Sequence, residues 1–268
     1  MEVPGSFLSY VLEKEFVTVE DAVSDLDLKE VTVRNYLSRM KRDGLIERVG
    51  RGRYVMMERD RVPPHIPEGL KSVLNLIEDS YPDLGPVVWS ASMLSDYMHN
   101  VPGGDVYSID VSRDAALQLK TFLGDRGVLV FMDPDPLSIE DYSWSNLEPL
   151  FLFKRGEQFA SIPMNGHRIA MMDRIWVDIY YLCTRKDLPF PLVELGVVLR
   201  NLITSGSISI DRMLRYSSRR GLRAEMMFIL YEIGKADPDL HLIERILPYS
   251  DKADEWIHEV VIGCLEGW

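Results

Sequence analysis

Three prolines within five residues, Pro63, Pro64 and Pro67, break the chain in the segment ERDRVPPHIPEG. Proline has no amide donor, fixes its own backbone torsion, and pushes the preceding residue toward extended conformations. Neither a helix nor a central strand runs through such a segment. With charges alternating around the prolines, residues 59–72 read as a linker. The chain then divides into a small amino-terminal domain, residues 1–58, and a larger one, residues 73–268.

The small domain has its own periodicity. Phe7, Leu8, Val11 and Leu12 recur at helical spacing. Thr18 can cap a second helix, with Asp21 three residues on as in a capping box, and that helix ends near Leu26. A third helix is expected from about Glu30 to Arg42, stopped by Asp43-Gly44. LIERV and RYVMM then read as short strands around Gly50-Arg51-Gly52, a hairpin. Three helices followed by a hairpin is the order of a winged helix-turn-helix.

Charge within this domain is uneven. Between Val33 and Tyr54 stand seven basic side chains and two acidic ones, in a chain of net charge −12. Up to residue 57 there are ten acids and nine bases, so eleven of the twelve excess negative charges lie beyond. At 100° per residue, Val33, Tyr36, Leu37 and Met40 face one way on the third helix and must pack inward. The opposite side presents Asn35, Ser38 and Arg42, flanked by Arg34, Arg39 and Lys41. Arginine pairs two donors with guanine, asparagine bridges adenine, and serine reaches bases or phosphates. A helix fits the major groove while the preceding helix braces it against the backbone. The hairpin adds Arg48, Arg51 and Arg53, with glycines on either side of Arg51 that permit a tight turn. The candidate DNA contacts are therefore Thr32, Arg34, Asn35, Ser38, Arg39, Arg42, Arg51 and Arg53.

The larger domain changes pattern. PVVWSAS, DVYSIDV and VLVFMD are strand-like and alternate with helical segments around Met93–Met98 and Arg113–Leu123. PLFLFK and QFASIP add further strands, and from about Met171 the reading is helical as far as a last segment near Ala253–Leu265. The expectation is an α+β chain: a winged helix, then an α/β domain with a mixed sheet and a helical carboxy-terminal part.

Enzyme chemistry finds little support. Asp105 and Asp110 are five apart and alternate to opposite faces if both lie on a strand, whereas two-metal chemistry needs carboxylates on one side. MDPDP, with Asp133, reads as a strand-terminating turn. His65, His99, His167, His241 and His258 show no pair at metal-ligand spacing. No phosphate-cradling loop or nucleophile elbow is present. Cys183 and Cys264 read as reduced core thiols. No run of about 18 apolar residues exists, and the acidic start MEVPGSFLSYVLEKEF lacks the basic region of a signal peptide. The expectation is a cytoplasmic, non-catalytic protein without cofactor or metal.

The run FVTVEDAVSDLDLKEVTVRNYLSRMKRDGLIERVGRGRYVM resembles the amino-terminal winged helix of AbiEi-like antitoxins, from type IV abortive-infection toxin–antitoxin systems. Further along, VVWSASMLSDYM, VFMDPDP, MDRIWVDIYY and IDRMLRYSSRRG are similar, in this order, to landmarks of one group of these proteins. The resemblance implies an autorepressor that binds its own promoter as double-stranded DNA. It also implies that the protein counteracts a nucleotidyltransferase-like toxin encoded beside it. By position, Asp178, Arg215, Tyr216, Arg219 and Arg220 become partner-binding candidates, with ion pairing on an acidic surface as the alternative use of these arginines. Two other classes stay open: a nucleic-acid- or nucleotide-processing enzyme tethered by the winged helix, and a protein-interaction adaptor.

Overall fold

The computed structural model describes residues 3–12, 14, 17–42, 46–50, 52–56, 65–100, 104–143, 148–164, 167–240, 242 and 255–266. The chain forms two compact units, Met1–Val62 and Pro63–Trp268.

In the first unit, α1 (Gly5–Leu12), β1 (Val17–Thr18), α2 (Val19–Leu26) and α3 (Glu30–Arg42) precede β2 (Ile46–Gly50) and β3 (Arg53–Met56). Thr18 does two jobs: it ends β1, and its hydroxyl accepts from the Asp21 amide at 3.0 Å to cap α2. Asp27 closes α2 in the left-handed region at φ 49°. The three strands form an antiparallel sheet in the order β1-β3-β2, with Val17 opposite Tyr54 and Ile46 opposite Met56. A bulge between Arg48 and Gly50 bends the hairpin. Phe7, Val11, Val17, Ala22, Val33, Leu37, Met40 and Ile46 make the core. Burying each of the larger ones is worth about 1.5–3 kcal/mol. β1 is too short to register in the sequence pattern.

The second unit begins earlier than the expected boundary at residue 73. α4 (Glu68–Ser80) starts inside the expected linker, because Pro67 sits at the cap, where a missing amide donor costs nothing. Leu70, Val73, Leu74 and Ile77 bury its inner face. There follow β4 (Val87–Ser90), a 3-10 helix (Ala91–Tyr97) at the helical segment expected around Met93–Met98, β5 (Tyr107–Asp110), α5 (Arg113–Gly124) and β6 (Val130–Met132). Next come α6 (Pro136–Ser143), β7 (Leu150–Phe153), β8 (Ser161–Met164) and β9 (His167–Ala170). The remainder is helical: α7 (Met172–Lys186), α8 (Leu192–Thr204), α9 (Ile210–Arg219), α10 (Arg223–Ala236), a 3-10 turn at Pro238–Leu240, and α11 (Glu255–Glu266). The MDPDP turn exists, with Asp133 at φ 45°, but its second proline then opens α6 at the position helices favour for proline.

Six strands form one mixed sheet in the order β6-β7-β5-β4-β9-β8. β6, β7 and β5 run parallel, as do β4 and β9, while β4–β5 and β8–β9 are antiparallel. β4, β5 and β7 are buried along their whole length, which fits the mostly apolar VVWS and LFLF, while YSID buries Ser108 and Asp110 as well. α8 and α11 approach so closely that a Cβ on Gly196 would lie 2.1 Å from the Val260 carbonyl oxygen, and one on Gly263 1.9 Å from that of Val193. Cys264 Sγ donates to the Gly196 carbonyl at 3.0 Å across the same contact. Among the described residues, no helix is long and apolar enough to cross a membrane.

Candidate functional site

α3 divides into two faces. Val33, Leu37 and Met40 are fully buried and Tyr36 nearly so, its ring packing edge-on against Phe7 at 5.1 Å. Arg34, Asn35 and Ser38 are exposed on the other side, and Thr32 and Arg39 are half-buried. Arg34 is braced by Glu30 one turn earlier, Nε donating at 2.8 Å and Nη2 lying 2.6 Å away. This exposed pair is worth about 0.3–0.5 kcal/mol, so it positions Arg34 without locking it. Arg42 ends α3 and Arg53 begins β3, next to Gly52 at φ +75°. Arg51 lies outside the described residues. The structure thus places Thr32, Arg34, Asn35, Ser38, Arg39 and Arg42 on one helix, beside a bulged hairpin in the same unit.

In the second unit, a different constellation forms where β5, the turn after β7, α7 and α9 meet. Asp110 and Asp178 are both about 1% exposed. Arg155 bridges them: Nε and Nη2 reach Asp110 Oδ1 at 2.8 and 2.6 Å, and Nη1 reaches Asp178 Oδ1 at 2.8 Å. Arg174, fully buried, donates to Asp110 Oδ2 and holds the carbonyls of Glu157 and Phe159 at 2.7 and 2.8 Å. The Tyr216 hydroxyl lies 2.9 Å from both oxygens of Asp178, and Arg220 Nε lies 3.1 Å from Oδ1. Beside this network Arg212 pairs with Asp173, both buried.

The electrostatics follow from that packing. Burial alone would raise Asp178, but Arg155, Arg220 and Arg174 overcome it and hold its carboxyl below the ordinary range. For Asp110 burial wins over Arg155 and Arg174 and pushes the carboxyl up. Burial and the Asp178 charge push the Tyr216 phenol up, so it stays a neutral donor.

Of the carried-over partner candidates, Asp178 and Tyr216 are inside the core at about 1% exposure and offer no surface to a partner. Arg220 is mostly buried, stacked on Tyr181 at 3.9 Å. Arg219 is exposed, pairs with Glu157 at 2.5 Å and lies over Phe159. Arg215, exposed one turn earlier, lies over the same ring and donates to the Asp211 carbonyl. Of these five side chains, only Arg215 and Arg219 are exposed. Asp110, Arg155, Arg174, Asp173 and Arg212 are members that sequence reasoning misses. One signal could reveal some of them: MDRIWVDIYYLC is apolar nearly all round, so its Asp173, Arg174 and Asp178 must be buried and therefore paired.

Asp105 belongs elsewhere. Its carboxylate takes Ser90 Oγ at 2.5 Å, Ser92 Oγ at 2.6 Å and the amides of Ser92 and Val106 at 3.0 and 2.8 Å. It borders a cleft of about 440 Å³ lined also by Ser92, Met98, Tyr107 and Glu148. Asp105 and Asp110 therefore serve separate networks. Among the described residues, no three His, Cys, Asp or Glu side chains converge as metal ligands do.

No protein of curated function matches the chain. One family profile matches residues 32–235, from the first turn of α3 to the last turn of α10, and so leaves out α1, α2 and α11. With more than half of its length matched, the chain belongs to that family, described as a family of unknown function (DUF6577).

Proposed function

We propose that the amino-terminal unit is a winged helix-turn-helix that binds double-stranded DNA, and that the protein is a transcriptional regulator of its own promoter. The observation that carries this reading is the two-sided character of α3. Its apolar side is fully committed to the core, and its open side presents Arg34, Asn35 and Ser38. Such side chains read base edges when a helix enters the major groove. The order helix, strand, helix, helix, hairpin and the β1-β3-β2 sheet support the fold assignment. The remaining chain carries eleven net negative charges, which discourages loose binding of nucleic acid and leaves contact to the basic segment Val33–Tyr54 of a first unit that is itself near neutral.

The second unit, in this reading, is non-catalytic. Asp110 and Asp178 are occupied by guanidinium groups rather than open to a substrate. By resemblance, the regulator acts as the antitoxin of a nucleotidyltransferase-type toxin encoded beside it, with Arg215 and Arg219 available for contact. The test of the DNA reading is an electrophoretic shift of the DNA directly upstream of the coding sequence by the full chain at moderate salt. A shift that unlabelled upstream DNA competes better than unrelated DNA is expected. No shift at micromolar protein contradicts the proposal.

A further inference from the structure

α3 carries one side chain on its open side that cannot make a hydrogen bond. Val31, in the first turn, is 69% exposed, a large hydrophobic residue left outside the core of the first unit. Single exposed valines are common on surfaces. What makes this one informative is its place. It lies one turn before Asn35 and so on the same strip of the helix, away from Val33, Leu37 and Met40. Its neighbours Glu30 and Arg34 are tied to each other.

We infer that Val31 is a specificity-determining residue that contacts the C5-methyl group of a thymine. The inference rests on the reading of α3 as the DNA-reading helix. In that geometry the first turns of the helix meet base edges. The thymine methyl is the apolar group by which the major groove is read, beside the donors and acceptors of the other base edges. A β-branched side chain has one strongly preferred rotamer in a helix, so its methyls point in a fixed direction. Asn35 matches adenine N6 and N7. Four residues advance a helix by about 6 Å, or roughly two base-pair steps. The pair therefore selects duplex DNA in which a thymine and an adenine lie within about two steps of each other.

The test removes the methyl and nothing else. The upstream fragment is copied once with thymidine and once with deoxyuridine triphosphate, and both products are titrated with the full chain and with Val31→Ser and Val31→Thr. Wild type is expected to bind the uracil copy roughly four- to tenfold more weakly, the worth of one or two buried apolar groups. Val31→Ser should bind the thymine copy about that much more weakly and lose its sensitivity to the substitution. Val31→Thr, which keeps one methyl, should fall between. All three should melt together, since the side chain is exposed. Equal binding of both copies by wild type, or an unchanged uracil penalty in Val31→Ser, overturns the assignment while leaving DNA binding intact. Failure of wild type to bind either copy overturns the DNA reading as well.

Discussion

Asp110 at the end of β5 and Asp178 in the middle of α7 share the guanidinium of Arg155, which reaches both at 2.6–2.8 Å. A strand, a helix and the turn after β7 are thereby joined at one planar group. Only arginine has the fork for this, since lysine offers a single point of charge.

Arg155→Ala should leave two buried carboxylates short of a partner and destabilise the second unit by about 3–5 kcal/mol. Arg155→Lys should recover only part of that loss. Denaturant unfolding monitored by tryptophan fluorescence checks both, because Trp89 and Trp176 are in this unit's core. A loss below about 0.5 kcal/mol, as for an ordinary surface change, contradicts the keystone role.

Tyr216→Phe keeps the ring and removes only the hydroxyl that Asp178 accepts from. The expected cost is about 1–3 kcal/mol, because a buried carboxylate loses a donor while Arg155 and Arg220 remain. The same denaturation experiment measures it.

How far the sequence reveals this arrangement depends on the range of the interactions. The two faces of α3 are legible because every side chain involved lies within thirteen consecutive residues, and the helical period alone sorts Leu37 from Asn35. Thr18 capping α2 is local in the same way. α4 is hidden by its own prolines, which mark a break correctly but say nothing about a helix that starts one residue later. β9 is a strand because it pairs with β4, Val87 opposite Arg168, and the tetrapeptide HRIA has no alternation to announce it. Arg155 sits in the turn after β7, between two runs that the sequence marks only as strands. Its link to Asp110 and Asp178 is tertiary, and no local period encodes it.

Gly196→Ala should be destabilising, although alanine normally gains about 0.5–1 kcal/mol over glycine inside a helix. The added methyl would sit 2.1 Å from the Val260 carbonyl oxygen and force α11 away from α8. Limited proteolysis should then release the carboxy-terminal segment before the rest of the unit unfolds. A more stable variant with α11 protected contradicts the close contact.

Burial pushes the Cys264 thiol up to about 12. A thiol raised on folding adds stability that is present below its unfolded value and is lost as pH rises through about 12. In a Cys183→Ser background, Cys264 should therefore resist a thiol reagent at pH 8 and react fully once denaturant is added. Stoichiometric reaction in the native state contradicts the packing of α11.

The claim that α3 reads DNA is tested most directly by the salt dependence of binding. The full chain, Asn35→Ala and Arg51→Ala are titrated by fluorescence anisotropy against the upstream fragment and an unrelated duplex. Wild type should bind with log K falling linearly in log salt. Arg51→Ala should weaken both duplexes equally and lower the slope by about one. Asn35→Ala should lose about 1–3 kcal/mol on the upstream fragment and little on the unrelated one. Binding that is absent, or that is identical in all three proteins on both duplexes, contradicts the account.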